Sequence, residues 1–365
     1  MTAKSTAPGP DGIPGKVLAV ALSVLGNNLM DVYNKCLSEG IFPNCWKNSR
    51  LVLLPKPRKD LNTPTAYRPI CLLNEAGKLL ERIIIGRINE HLNCVGPNLN
   101  EQQYGFRPGR STIEAINMVK NIVQGTVSKK GIALAVSVDI VNAFNTIPQW
   151  AIEEGLRKLN LPNYITRVIR SYLAGRVIEY KGKENIEHRV VDRGVRQGSV
   201  LGSLLWNVGY DASLPTGVYL ICYADDTLLI ACGKQWSRTT RLMEAGIEAV
   251  VRKIKGLGLE IATHKTEATW FHGLPRNKNP PESWIAVGED RIRVGRHIKY
   301  LGLILDGRLD YKAHFAQLAP RVEKAAINLG RLLPNTRGPS LKVRRLYCCM
   351  GRQYGRARKQ WPEKI

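Results

Sequence analysis

Three carboxylates stand out in this sequence because apolar residues surround them. Asp225 and Asp226 lie between two runs rich in Leu, Ile and Val, and Asp139 ends an earlier apolar run. Two like charges about 4 Å apart repel each other by roughly 4 kcal/mol at an effective dielectric constant of about 20. A cluster of such acids becomes stable when a cation compensates its charge. The three residues therefore predict a cation site, provided that the fold brings them together.

Magnesium is the cation that this donor set favours, because its usual ligands are a few carboxylates, water and substrate phosphates. Two such ions can activate an attacking hydroxyl and stabilise a leaving oxygen in phosphoryl transfer. The alternative is that Asp225-Asp226 only forms a hairpin turn, which aspartates do well. Spacing alone does not decide between these interpretations.

The elements that would position the acids are β-strands. Residues 132–140 form a β-rich run with Asp139 near its carboxyl end, and residues 218–232 comprise two apolar runs around Ala224-Asp225-Asp226. The second pattern predicts a hairpin with both carboxylates at its tip. If the two segments are neighbours in one sheet, the three acids meet at its edge.

Flanking segments extend this pattern into an α+β fold. Helices are predicted over 77–92, from the Ser111/Glu114 capping box onward, over 149–159 and 163–173, and along the apolar stripe from Met243 to Leu257. Strands are predicted over 50–55, 291–294 and 300–305, with a polar loop over 273–282 and a basic helical tail. This order of elements predicts a sheet with helices on one face.

Charge and composition restrict the class of protein. The 365 residues include 54 Lys and Arg against 30 Asp and Glu, for a net charge of +24, and 44% of them are hydrophobic. This composition is globular, and the basic excess favours a nucleic-acid partner over an anionic membrane or a charge that only aids solubility.

Other features bear on the compartment. The sequence has no apolar run near the ~18 residues of a membrane span and no signal-peptide pattern. Its eight cysteines form no CxxC pair and no zinc-ligand spacing. We therefore expect an intracellular protein without zinc, and without a targeting segment or membrane association.

Short motifs in a fixed order carry a family resemblance. Two of them are Gln197-Gly198-Ser199-Val200-Leu201-Gly202 and Tyr223-Ala224-Asp225-Asp226. The others occupy residues 7–14, 46–47, 54–57, 66–70, 103–107, 109–112, 138–145, 265–267 and 300–302. Together they resemble the reverse transcriptase of non-LTR (LINE-type) retrotransposons, particularly jockey-like and insect rDNA-inserting elements. An intron maturase or a telomerase-like enzyme, which shares the catalytic domain, is a more distant alternative.

The resemblance implies a right-hand polymerase fold with fingers, a ferredoxin-like palm and a partial helical thumb. Residues 1–130 would form the fingers with an amino-terminal extension. Residues 131–310 would form the palm, with a fingers insertion around 150–195, and residues 311–365 a truncated or divergent thumb. The implied activity is RNA-directed DNA polymerisation with an RNA template, a DNA primer and dNTPs, acting in the nucleus. The alternative is an impaired remnant that only binds nucleic acid.

The resemblance also assigns residues to roles. Two Mg²⁺ (or Mn²⁺) ions would be held by Asp139, Asp225, Asp226 and the Ile140 carbonyl, and Lys265 would protonate the leaving pyrophosphate. The dNTP would be held by Lys56, Arg68, Gln197 and Gly198, with Phe144 as the gate against a ribose 2′-hydroxyl. Tyr300-Leu301-Gly302 would position the primer. Each role has a structural alternative, namely core packing for Phe144, solvated cations for Lys56 and Arg68, and a plain phosphate contact for Lys265.

Aromatic and basic residues alternate in the motif block near residue 104. Tyr104 and Phe106, beside Arg107 and Arg110, could stack on single-stranded template, or they could be packing residues.

The sequence also departs from the family pattern. Arg196 and Ser203 replace prolines that relatives carry, which should loosen those turns and, at Arg196, add a charge beside the nucleotide pocket. No endonuclease precedes the motifs, and the tail after Tyr347 lacks the apolar helix expected there. We therefore expect a truncated or frame-disrupted copy.

Overall fold

The computed structural model describes residues 7–57, 59–182, 184–210 and 216–331. Its helices are α1 (Gly15–Glu39), α2 (Glu75–Cys94), α3 (Thr112–Ser128), α4 (Ala143–Thr146), α5 (Gln149–Lys158), α6 (Asn163–Leu173), α7 (Gly202–Gly209), α8 (Trp236–Gly256) and α9 (Lys312–Arg331). Its strands are β1 (Asn48–Pro55), β2 (Tyr67–Leu73), β3 (Ile132–Val138), β4 (Arg176–Lys181), β5 (Ile186–Val191), β6 (Val218–Tyr223), β7 (Asp226–Gly233), β8 (Glu267–His272), β9 (Trp284–Val287), β10 (Asp290–Arg293), β11 (His297–Tyr300) and β12 (Leu303–Asp306).

The central sheet has the strand order β6-β7-β3-β8, and its neighbouring strands are antiparallel. Leu134 and Val136 of β3 pack into one core with α8, while Ala133 and Ala135 pack into a second core with α3. Helices therefore cover both faces, and the prediction of helices on one face was wrong. A strand buried on both sides is apolar at every position and loses the alternation that would have revealed the second face.

The outer sheet has the strand order β2-β1-β4-β5. β1 runs antiparallel to β2 and pairs in parallel with β4 over a short stretch. The predicted stripe of α2 is buried in a core that α2 shares with α1 and α6, because Leu80, Ile84 and Ile88 are fully buried and Leu92 nearly so. β5 is an edge strand with exposed side chains along most of its length.

Several predicted elements are confirmed. Ser111 and Glu114 form a reciprocal capping box at the start of α3, and α6 has the predicted bounds. The stripe from Met243 to Leu257 is buried along α8 and its end. The hairpin with Asp225 and Asp226 at its tip is formed by β6 and β7.

The strand predicted over 300–305 is interrupted, because Tyr300 ends β11, residues 303–305 belong to β12, and a hairpin turn separates the two strands. Leu301 and Gly302 form this two-residue turn with φ values of +46° and +83°. Positive φ at both central positions is the pattern of a type I′ turn. Leucine is rare in that conformation, so Leu301-Gly302 lacks the Asn-Gly or Asp-Gly pattern that would have predicted this turn.

α9 reaches Arg331, and the remaining predictions for the thumb, including those for the tail after Tyr347, lie outside the described residues. Within the described ranges, no helix is both long and apolar enough to cross a bilayer.

Candidate active site

The Asp225-Asp226 pair lies at the tip of the β6–β7 hairpin. Tyr223 pairs with Asp226, so Ala224 and Asp225 are the two loop residues. Ala224 has a φ of +60°. A positive φ at the first loop position is typical of a type II′ turn, where glycine is usual, so Ala224 carries backbone strain.

A buried amide holds this tip. Gln103 accepts the backbone N–H groups of Ala224 and Gly105 at Oε1, over 3.0 and 3.1 Å, and its Nε2 donates to the Ala224 carbonyl over 3.3 Å. A Cβ on Gly105 would lie 2.2 Å from the Ala224 nitrogen, so this position requires glycine. Asn207 Nδ2 donates to the Gly105 carbonyl over 2.8 Å and fixes the segment from the other side.

Asp139 reaches the same edge from the neighbouring strand. Val138 pairs with Thr227, so Asp139 follows β3 where β7 begins at Asp226. Lys265 Nζ lies 2.7 Å from Asp139 Oδ2. The Asp139 carbonyl accepts the N–H of Ala262 over 2.9 Å, which docks the turn that carries Lys265.

The pKa values of Asp225 and Asp226 show that the charge of Asp139 acts on both residues of the tip. Burial, and then the charges of Asp225 and Asp139, raise the pKa of Asp226 to about 6. Burial, and then the charge of Asp139, also raise the pKa of Asp225, while Lys265 lowers it. The structure thus places the acids at one sheet edge, close enough for mutual repulsion.

Among the described residues, no group of three or more His, Cys, Asp or Glu side chains stands arranged as a metal site. Asp139 is paired with Lys265 instead. The donor chemistry still fits a hard cation, because the site offers carboxylate oxygens whose raised pKa values a nearby positive charge would lower. The metal-binding role of the three acids stays a prediction.

An aromatic row lies beside the acids. Phe144 is half-buried between Phe106, at 5.9 Å between ring centroids, and Trp206, at 5.3 Å. Trp206 is fully buried and stacks on Tyr210. Phe144 is therefore packed on one side and bordered by the exposed Phe106 on the other, and its gating role stays a prediction.

The Gln197-Gly198 turn lies against β2. The N–H of Cys71 donates to the Gln197 carbonyl over 2.8 Å. Gly198 has a φ of +120°, and a Cβ there would lie 2.3 Å from the Cys71 carbonyl oxygen. Only glycine permits this approach, and it leaves Gln197 and Gly198 exposed beside the strand that carries Arg68.

Both predicted triphosphate cations belong to the β1–β2 hairpin. Arg68 is exposed and pairs with Leu54. Lys56 follows β1, and its Nζ donates to the Thr65 carbonyl over 2.9 Å. Within the described part of the chain, neither cation forms a hydrogen bond or an ion pair with the acids, and their role in binding the triphosphate stays a prediction.

The stacking prediction for Tyr104 was wrong. Its ring is only 4% exposed, and the Arg110 guanidinium covers it at 5.0 Å from the ring centroid. Arg107 is also a structural residue, because its guanidinium donates to the Asn100 carbonyl over 2.7 Å and to Asn98 Oδ1 over 3.1 Å. Of the two aromatic residues in this block, Phe106 is the exposed one, at 52%.

The remaining predicted residues occupy two places. Tyr300 is buried, with its hydroxyl donating to the Ile221 carbonyl over 3.3 Å, so it anchors the β11–β12 hairpin. Leu301 and Gly302 form the tip, where a primer contact stays a prediction. Ile140 is buried beside Ile261, and its role as a carbonyl ligand is likewise a prediction.

Arg196 corrects one expectation about the family departures. Its side chain is 5% exposed and its Nη2 lies 3.5 Å from the Val177 carbonyl, so its charge is buried beneath the turn. Ser203 is half-buried in the first turn of α7.

Sequence reasoning missed the residues that hold the site. Gln103 and Asn207 are uncharged, and nothing in their spacing links them to the acids. Glu81 gave a usable signal, because it follows Leu80 and precedes Ile84 by three positions, on the buried side of a helix. A charged residue there predicts a buried polar network.

Comparison with known proteins agrees with this arrangement. Residues 54–305 match the family described as reverse transcriptase (RNA-dependent DNA polymerase). The Pol polyprotein of the type-1 retrotransposable element R1 from Bradysia coprophila is 28% identical over 320 residues, which cover 86% of this chain and 31% of the relative. The RNA-directed DNA polymerase of the mobile element jockey from Drosophila melanogaster is 26% identical over 327 residues, or 86% of this chain and 34% of the relative.

The apo telomerase of Candida tropicalis is a solved structure with a TM-score of 0.48 and 12% identity, over 79% of this chain and 53% of that one. The chain spans about a third of the length of the two curated relatives. The resemblance to non-LTR retrotransposon polymerases is confirmed, as is the right-hand polymerase fold that it implies. Since the family match covers more than half of the sequence, the chain belongs to the reverse transcriptase family.

Proposed function

We propose that this chain copies RNA into DNA as the polymerase part of a non-LTR mobile element. The observation that carries the proposal is the meeting of Asp139 with the Asp225-Asp226 tip at one edge of the central sheet. Burial, together with the charge of Asp139 from the neighbouring strand, raises the pKa values of Asp225 and Asp226, and such shifts favour an active site over a plain hairpin turn. The family match supports the same reaction.

Asp139, Asp225 and Asp226 would hold two magnesium (or manganese) ions. When bound, such ions activate the attacking hydroxyl and stabilise the leaving oxygen. In the reaction, the primer 3′-hydroxyl oxygen attacks the α-phosphorus of a dNTP. The bond between that phosphorus and the oxygen bridging it to the β-phosphorus breaks, and pyrophosphate leaves. Burial, and then the charges of neighbouring acids, raise the pKa values of Asp225 and Asp226, and a positive charge at this edge would lower them.

Other residues of the chain would bind and orient the substrates. Lys265 is an ammonium donor 2.7 Å from Asp139, and it would give a proton to the leaving pyrophosphate. Arg68 and Lys56, on one hairpin, would contact the triphosphate. Phe144 would block a ribose 2′-hydroxyl with the edge that its packing on Trp206 leaves free.

The two sheets would belong to two different subdomains of the polymerase. The outer sheet with α1 and α2 would be the fingers, joined by the insertion around 150–195 that adds β4 and β5. The predicted fingers range, residues 1–130, also includes α3, which packs on the central sheet instead. The central sheet would be the palm within 131–310, and α9 the start of the thumb (311–365). An RNA template and a DNA primer would lie across them, held by the basic excess of the chain. A primer in chromosomal DNA would place the activity in the nucleus.

Single-turnover primer extension tests the proposal. The wild type should extend a primer on an RNA template with dNTPs and Mg²⁺, and Asp225→Asn should not, because the site loses one carboxylate. Asp290→Asn is the matched control, since Asp290 is exposed on β10. Template binding without extension by the wild type would contradict the proposal and support a remnant that only binds nucleic acid.

A further inference from the structure

Glu81 is a fully buried carboxylate, 1% exposed, that lies away from the acidic tip. Its Oε2 accepts the N–H groups of Val200 over 2.6 Å and Leu201 over 2.9 Å, and the hydroxyl of Ser199 over 2.9 Å. These donors immediately precede α7. A carboxylate at this position satisfies N–H groups that the helix cannot pair internally, and it complements the helix dipole.

Ser199 connects this contact to a second helix. Its Oγ accepts the N–H of Gly202 over 2.9 Å and lies 2.8 Å from the Tyr172 hydroxyl. Tyr172 belongs to α6 and is buried, so water cannot replace it easily. The backbone from 199 to 202 is therefore fixed by side chains from α2 and α6.

The same segment is fixed on its other side by β2. The Cys71 N–H holds the Gln197 carbonyl, and the Cys71 carbonyl lies against Gly198. β2 and α2 are successive elements joined at Asn74, so both contacts come from one part of the chain. Gln197 and Gly198 thus lie between two fixed points, one on the β2 backbone and the other at Glu81.

Arg196 contributes the opposite charge to this buried network. Its Nε and Nη1 are buried and have no hydrogen-bond partner among the described residues. The charges of Arg196 and Glu81 act on each other, since each shifts the other's pKa toward the charged form, although burial opposes both. Two opposite charges in one interior compensate each other in part, so removing the carboxylate would leave Arg196 uncompensated.

We propose that Glu81 is a positioning residue for the incoming nucleotide, which acts by holding the 199–201 backbone and thereby the Gln197-Gly198 turn. The inference rests on the proposed polymerase function, because it assigns that turn to the dNTP site. A turn held from both sides presents its surface to a ligand without an ordering step. Loosening one side should weaken dNTP binding more than the chemical step or the hold on primer and template.

Primer extension at varied dNTP concentration tests this inference. Glu81→Gln keeps the size of the side chain but removes the charge, and it should raise the KM for dNTP about tenfold, as expected for weakening hydrogen bonds to a charged group. The kcat and the Kd for primer–template should stay within about twofold of wild type. Glu248→Gln is the matched control, because Glu248 is exposed on α8 and pairs only with Arg252 there. It should leave all three constants unchanged.

Ser199 gives an independent test that leaves the carboxylate in place. Ser199→Ala removes the hydroxyl that links Glu81, Tyr172 and Gly202, and it should raise the KM for dNTP about threefold, whereas Ser199→Thr keeps the hydroxyl and should restore it. If Glu81→Gln does not fold, the Ser199 pair and Tyr172→Phe decide the question. A purely structural role would lower the midpoint of urea unfolding without moving this KM.

The outcomes distinguish the positioning role of Glu81 from the proposed polymerase function. If the wild type and Glu248→Gln extend the primer while Glu81→Gln and Ser199→Ala keep the wild-type KM, the role of Glu81 is overturned and the polymerase function stands. An equal loss of dNTP and primer–template affinity would also overturn it. If the wild type itself does not extend the primer, the polymerase function fails, and the inference fails with it.

Discussion

Gln103 is the residue whose removal should show most directly how the acidic tip is held. Its Oε1 accepts two backbone N–H groups, those of Ala224 and Gly105, and both residues are buried. Gln103→Met preserves length and approximate volume but offers no acceptor. The two N–H groups would then be buried without a partner, in a place where the fold leaves little room for water.

The expected cost follows from those two bonds. A buried donor left without a partner costs about 1–3 kcal/mol, so two of them should lower the free energy of unfolding by about 2–6 kcal/mol. Because Ala224 is bonded directly to Asp225, the tip should also shift or become mobile. A displacement of the reacting groups by about 1 Å can cost up to a hundredfold in rate, so extension should slow by roughly tenfold to a hundredfold.

Urea unfolding and single-turnover extension measure the two effects separately. Gln102→Met is the matched control, because Gln102 meets β6 through its carbonyl oxygen, which accepts the Cys222 N–H over 2.9 Å. That variant should match wild type in both assays. If Gln103→Met also unfolds at the wild-type urea concentration and extends at the wild-type rate, the amide does not hold the tip and the reasoning fails.

Three further expectations concern strain, pH and salt. Ala224→Gly should raise the free energy of unfolding in urea by up to about 1 kcal/mol. Glycine adopts the φ of +60° without the roughly 1–2 kcal/mol penalty of a side chain, and its own entropic cost offsets part of this gain. A free energy of unfolding below that of the wild type would contradict the strain at Ala224. Burial, and then the charge of Arg308, lower the pKa of His272, so the unfolded chain binds a proton that the folded chain resists, and stability should fall as the pH drops below about 6.5. His272→Gln should flatten this part of the stability–pH curve in urea titrations, and an unchanged slope would rule the residue out. The Kd for primer–template should rise by about 10³–10⁵ between roughly 50 and 200 mM salt if about 6–10 phosphates are contacted, and a flat dependence in a filter-binding assay would contradict an electrostatic hold.

The elements that sequence predicted well are those with strong internal patterns. β3 and the β6–β7 hairpin consist mostly of apolar residues, and a charged pair between such runs has few structural explanations. The bounds of α6 were predictable because Pro162 precedes an amphipathic stretch. In these cases burial and local propensity agree, so the local sequence is sufficient.

In the elements that were not predicted, burial and local propensity do not agree. β5 is an exposed edge strand, and its pairing with β4 depends on a neighbour that the local sequence does not specify. α1 keeps apolar residues such as Val20 and Val24 exposed, so its apolar pattern does not identify one buried face. Tyr104 shows the same limit at the site, because aromatic residues beside arginines have the same local sequence whether they stack on a ligand or pack in the core.

At the site, the acids could be predicted from the sequence but the residues that hold them could not, and this difference has a physical reason. The acids are recognisable from sequence because their charge is costly in an apolar strand, whereas the residues that hold them are neutral amides or glycines. The side-chain amide of Gln103 binds the backbone of the tip, and Gly105 packs closely against that backbone. Neither residue adds charge to the tip. Contacts of that kind depend on the approach of two distant segments, so motif spacing cannot reveal them.

The choice of neutral groups also affects the chemistry. Within the described ranges, the ion pairs place one cation, Lys265, on the three acids, and it contacts Asp139 alone. An arginine in the place of Gln103 could not accept the N–H groups of Ala224 and Gly105, and its charge would lower the pKa values of Asp225 and Asp226 and weaken their demand for another positive charge. Amides fix the geometry while the repulsion between the carboxylates remains, as the pKa of about 6 at Asp226 reflects. A site that is held rigid but left undercompensated in charge is one that a cation arriving with the substrate can complete.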